Sequence, residues 1–126
     1  MNYRNLTRAT VAVASVGVLA LLQVGSASAT GKTSAWSQGK EAARVNYWSS
    51  TDDFRLSDTL CDGHAVYAQY QRAGASTRTL HDTKGCRTHS DYNGTFTDGQ
   101  TIKYRVCVNL PFERDNCSSW KWDSTG

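Results

Sequence analysis

At 126 residues, with four cysteines and a single proline, the chain is sized for one small domain rather than several. Its 14 basic side chains are dispersed against 11 acidic ones, for a formal net charge of +3, and no Lys/Arg run exists. That distribution argues against nucleic acid as a partner.

The first element in chain order is an export signal. Arg4 and Arg8 open it, an apolar run follows from Ala9 to Val24, and Ala27-Ser28-Ala29 closes it with the small residues a signal peptidase reads. The run is about sixteen residues, shorter than the ~20 of a spanning helix. Cleavage is therefore expected between Ala29 and Thr30. Removing residues 1–29 leaves 97 residues and takes two arginines away. The remaining 12 basic and 11 acidic side chains give a net charge of about +1. No second apolar stretch follows, so the product is expected to be secreted, without a membrane anchor.

Residues 30–42, TGKTSAWSQGKEA, are polar and rich in small residues, and read as a flexible mature N-terminus ahead of a domain over 43–126. The GKT within them lacks the upstream glycine of a phosphate loop. ARVNYWSS (43–50) reads as a first strand, with a short helix over Trp36 to Tyr47 as the alternative. Phe54 and Leu56 alternate with polar neighbours, as in a brief edge strand. In HAVYAQYQR (64–72), Val66, Ala68 and Tyr70 share one face at period two. AGAS (73–76) supplies a turn into TRTLHDT, which completes a hairpin. Turns at Asn93-Gly94 and Asp98-Gly99 then bracket short strands in which Tyr92 and Phe96 are core candidates.

TIKYRVCVNL (101–110) is the strongest strand. Ile102, Tyr104, Val106, Val108 and Leu110 face one way; Lys103, Arg105, Cys107 and Asn109 face the other. PFERDN (111–116) is a loop, and CSSWKW is the last strand. Continued alternation there puts Trp120 and Trp122 on one face, as core, with Cys117, Ser119 and Lys121 on the other. About seven short strands with almost no helical periodicity predict an all-β fold, a small antiparallel β-sandwich.

Outside the cytoplasm, four cysteines read as two disulfides. A zinc site is disfavoured because the intervening gaps of 24, 20 and 9 residues contain no closely spaced pair. Cys107 and Cys117 are centred on residue 112, within the PFERDN loop. Cys61 and Cys86 are centred beside the AGAS turn. Hairpin geometry therefore predicts Cys61–Cys86 and Cys107–Cys117.

Asp62 with His64, His81 with Asp82, and His89 with Asp91 could be recruited for acid–base work, but His81 and Asp82 would point to opposite faces of a strand. No G-x-S-x-G elbow and no calcium-loop spacing occur, and Asp52, Asp53 and Asp58 read as solvation of an edge. No catalytic residue, metal or cofactor is assigned. Trp36 is the tryptophan most free to be exposed. Asn93-Gly94-Thr95 fits a glycosylation acceptor, although its turn accounts for it equally well. The loops at 73–76, 93–100 and 111–116 are the expected contact surface. Phe112 and Arg114 are its anchors, because an aromatic and an arginine on a disulfide-tied loop are preorganised.

DGHAVYAQY, TIKYRVCV and CSSW together resemble the small secreted β-rich proteins of Streptomyces and related actinobacteria, over about residues 55–122. The resemblance implies a source and a compartment and carries no catalytic residue. A looser similarity to immunoglobulin and fibronectin type III sandwiches rests on strand count and on the penultimate, Tyr104-bearing strand. The expected protein is a monomeric, non-catalytic binding module for an extracellular protein or cell-envelope component. A hydrolase inhibitor and a small extracellular enzyme or toxin are the alternatives.

Overall fold

A computed structural model describes residues 30–126, so the export signal expected at 1–29 lies outside the described residues. The described chain is all-β. Its strands are β1 (Gly31–Ser37), β2 (Lys40–Trp48), β3 (Asp53–Asp58), β4 (Val66–Arg72), β5 (Arg78–His81), β6 (Thr88–Asn93), β7 (Thr101–Val108), β8 (Asn116–Cys117) and β9 (Lys121–Ser124). One antiparallel sheet has the order β1-β2-β3-β6. The other has the order β5-β4-β7, with β8 and β9 both on the far edge of β7.

The polar stretch at 30–42 is not a loose terminus. It forms β1 and the start of β2, joined by a two-residue turn in which Gln38 and Gly39 both take positive φ, 54° and 76°. That is the backbone a type I′ hairpin turn requires, and glycine supplies half of it without strain. The segment at 53–58 is also not an edge. β3 is paired on both sides, by β2 and by β6.

The two sheets share one core. Ala43, Val45, Tyr47, Phe54 and Leu56 of the first meet Val66, Ala68, Ile102, Tyr104, Val106 and Val108 of the second, all buried. At one end the contact is aromatic. Phe54 stacks on Tyr70 with centroids 5.0 Å apart, and Tyr47 lies 4.7 Å from Phe54 and 5.4 Å from Tyr104. Phe96 closes this end at 5.4 Å from Tyr70. Asp52 fastens the same end: its carboxylate accepts from the Tyr47 hydroxyl (3.2 Å) and the Phe96 amide (3.1 Å), and its carbonyl from the Gly94 amide (3.0 Å). Gly94 is required there, since a Cβ would lie 2.6 Å from that carbonyl oxygen.

The chain crosses between sheets three times, at 59–65, 82–87 and 94–100. Cys61–Cys86 ties the first two crossovers together, and Cys107–Cys117 joins directly paired residues of β7 and β8. Both pairings follow the hairpin centring of the sequence. Each closes a loop whose entropy is removed from the unfolded chain, and the longer separation of 25 residues removes more than the shorter one of 10. Replacing Cys61 and Cys86 by Ala is expected to lower unfolding free energy by about 3.5 kcal/mol, and replacing Cys107 and Cys117 by about 2.7 kcal/mol. Urea titration of the two double variants checks both the size and the order.

Candidate functional site

The loop after β7 has its geometry set from both ends. Cys107–Cys117 closes its base, and the Glu113 amide donates to the Leu110 carbonyl (3.2 Å) to form a β-turn. Pro111 occupies the turn position whose φ a pyrrolidine ring already satisfies. Asp115 then locks the loop to the sheet. One carboxylate oxygen accepts from the Leu110 amide (3.0 Å), and the other from the Tyr67 hydroxyl of β4 (2.5 Å). The Tyr67 hydrogen bond, with the Leu110 amide behind it, holds the Asp115 carboxyl below the usual carboxylate range. Burial, then that same hydrogen bond, pushes the Tyr67 hydroxyl up to about 12.

Phe112 stands at the tip of this turn and is 99% exposed, so it does not cap the core. Arg114 is exposed and lines a concavity of about 630 Å³ with Tyr67, Arg105, Asp115 and Asn116. The Asn116 side-chain amide donates to the Trp36 carbonyl (2.8 Å), which fixes the loop's exit to β1. The three loops expected to form one surface do not lie together. Segments 73–76 and 93–100 sit at the start of β7, where the Ala73 amide donates to Thr101; segment 111–116 follows its end. The length of β7, roughly 25 Å, separates them.

The aspartates of the three His/Asp neighbours are engaged by backbone amides, a serine hydroxyl and an arginine. Asp62 Oδ1 accepts from the His64 amide (3.1 Å), and Asp82 accepts from the Lys84 amide (3.0 Å) and the Ser90 hydroxyl (2.8 Å). Asp91 forms a forked pair with Arg55 at 2.7 and 3.0 Å, with His89 3.9 Å away. Arg55 lowers the Asp91 pKa. His64, Asp58, Asp82 and Thr83 line a concavity beside Cys61–Cys86. Burial raises the Asp58 pKa there, and no hydrogen bond joins the His64 ring to a hydroxyl among the described residues.

Trp120 and Trp122 are not core. Trp122 is 63% exposed and Trp120 half-buried, and both lie on the outer face of the second sheet. The cause is a bulge. Cys107 pairs with Cys117, but Tyr104 pairs with Lys121 and Lys103 with Trp122, so three residues (118–120) oppose two (105 and 106). The extra residue reverses the parity of the final strand. Val106 keeps both of its backbone groups paired, because Ser118 donates its amide to the Val106 carbonyl (2.8 Å) and accepts the Val106 amide at Oγ (3.1 Å). Lys103 Nζ lies 4.5 Å from the Trp120 ring centroid and 5.4 Å from that of Trp122, and the Arg105 guanidinium lies 4.6 Å from Trp120. Sequence periodicity missed this cluster. Trp36, by contrast, is 58% exposed as expected.

Comparison with known proteins returns no matching family model, no matching curated protein and no matching solved structure.

Because the Asp115 pKa is depressed, its contribution to loop order is present above the unfolded value of about 3.9 and is lost as pH falls through the lower folded value. Tyr67→Phe removes the main cause, so it is expected to move the Asp115 titration up towards the ordinary carboxylate range and to speed exchange of the Leu110 amide. Carboxyl NMR titration and hydrogen exchange read the two effects.

Proposed function

We propose that this chain is an exported, monomeric, non-catalytic binding module of immunoglobulin/fibronectin type III-like architecture, and that it recognises an extracellular protein through the turn at 110–115. The observation that carries the reading is Phe112, 99% exposed at the tip of a turn held by a disulfide, a proline and the Asp115 clasp. A fully exposed aromatic ring on an ordered support loses little freedom on binding and gains most of its contact area there. Arg114 beside it adds a planar donor for a carboxylate or carbonyl on the partner.

The strand order supports the architecture. β2, β3 and β6 lie in the order of strands A, B and E of such domains, and β4, β7 and β8/β9 in the order of C, F and G, with β5 added beside β4 as a C′ strand. β1 is an extra edge strand. The similarity stops at the disulfides, since neither bridge joins the B and F positions. Two disulfides, and no helix long and apolar enough to cross a membrane among the described residues, are compatible with an extracellular location.

A narrow, ordered, protruding turn also fits an inhibitor that enters a hydrolase cleft. That reading differs in the partner's identity, not in the surface used. A photo-crosslinking phenylalanine analogue at 112, placed in the oxidised chain and exposed to culture medium, is expected to capture one protein, while the same analogue at Arg78 on β5 captures none. Phe112→Ala with Arg114→Ala is expected to weaken that complex about thirtyfold, the effect of losing a hot-spot pair. Unchanged affinity dismisses the turn. Loss of a captured hydrolase's activity on binding selects the inhibitor.

A further inference from the structure

We infer that the outer face of the second sheet is a second binding site, and that its ligand is an acidic polysaccharide bearing carboxylates along its chain. Trp120, Trp122, Lys103, Arg105 and Gln71 form it. It adjoins the Phe112 turn at one end, through the concavity that Arg114 also lines, but it does not depend on the reading of that turn.

The first observation is the aromatic surface displayed on the outer face of the second sheet, with Trp122 63% exposed. Trp122 turns outward because of the bulge at 118–120, and two hydrogen bonds between Ser118 and Val106, one donated by each backbone amide, hold that bulge. Indole rings on a rigid sheet present flat apolar surface against which the C–H face of a pyranose stacks. The second observation is charge. Among the described residues, neither Lys103 nor Arg105 is ion-paired; the ion pairs are Arg44–Glu41, Arg55–Asp91 and His89–Asp91. Lys103 and Arg105 rest on the two indoles, and Gln69 Oε1 accepts from Arg105 at 2.8 and 3.0 Å, which fixes the guanidinium on the sheet. Fixed cations beside aromatic faces match a sugar that carries a carboxylate, and they leave a neutral sugar with unused charge.

The third observation is shape. Beyond Trp122 lies a concavity of about 170 Å³ lined by Gln71, Arg72, Gly74, Thr101 and Lys103. Beyond Arg105 lies the concavity of about 630 Å³ that Tyr67, Arg114, Asp115 and Asn116 also line, with both Asp115 carboxylate oxygens engaged by the Tyr67 hydroxyl and the Leu110 amide. The two lie at opposite ends of one strip along β7, from Thr101 to Cys107, roughly 20 Å long. An extended chain fits that strip better than a compact ligand does. Single-stranded nucleic acid also stacks on aromatics, but it demands a broad positive field. With 12 basic and 11 acidic side chains over residues 30–126, the described chain supplies no such field.

The test is calorimetric titration of the oxidised chain with galacturonic-acid oligosaccharides and hyaluronan oligosaccharides, against neutral galactose oligomers and single-stranded oligothymidylate. The acidic sugars are expected to bind, and the neutral oligomers to bind at least about tenfold more weakly. Trp122→Ala is expected to lower acidic-sugar affinity about tenfold, and Lys103→Gln to remove the preference for acidic over neutral sugars. Phe112→Ala is expected to change neither value. Trp122 and Lys103 both lie on the outer face, and matching near-ultraviolet circular dichroism verifies that each variant is folded. Binding of neither acidic sugar overturns the inference, as does tighter binding of the oligothymidylate or full affinity in Trp122→Ala.

Discussion

Strand β7 is saturated on its inner face, and much of the molecule is arranged around that constraint. Ile102, Tyr104, Val106 and Val108 have no exposed surface, and β7 is paired on both sides, by β4 and by β8 with β9. Packing at interior density leaves no room for another large side chain opposite them. Had the last strand continued in the register set by Cys107 and Cys117, Trp120 would oppose Tyr104 and Trp122 would oppose Ile102 on the filled face. Lys103 would then face Lys121, two like charges directly across a ladder. One inserted residue resolves both conflicts. It sends the indoles outward, where they lie beside the cations of β7 instead of competing for the core.

The same strand organises the two ends of the domain. At its start, the aromatic cluster and Asp52 hold the 94–100 crossover against the turn between β2 and β3. At its end, Cys107 and Asp115 hold the 109–115 loop against β8 and β4. The ordered turn that displays Phe112 is thus an extension of the core strand rather than an appended loop. A side chain displayed in this way keeps its orientation because the backbone beneath it has few alternatives.

Much of this was legible in the residues. Val66, Ala68 and Tyr70, and then Ile102 to Val108, carry an alternation that only a half-buried strand explains, and the cysteine spacing encodes both hairpin clasps. β1 was hidden because its inward residues are small: Ala35 is buried yet adds little to a hydrophobic count. Its signal was the Gln38-Gly39 pair, a two-residue turn between polar runs. The interior position of β3 depends on pairing with β6, some thirty-five residues later in the chain, and no local pattern reports that. The tryptophans failed for a different reason. Alternation presumes an unbroken register, and the break at 118–120 depends on a serine hydroxyl substituting for a ladder partner. Phe112 was readable as the anchor of a disulfide-tied loop, and the Asp115 clasp beneath it orders the turn that displays its ring.

Register between β7 and β9 therefore decides where both tryptophans lie, and interstrand backbone nuclear Overhauser effects between the two strands measure it. Lys103 is expected opposite Trp122 and Tyr104 opposite Lys121, with Val106 bonded to Ser118. Cross-peaks that place Lys103 opposite Lys121 would return both tryptophans to the inner face and contradict this register.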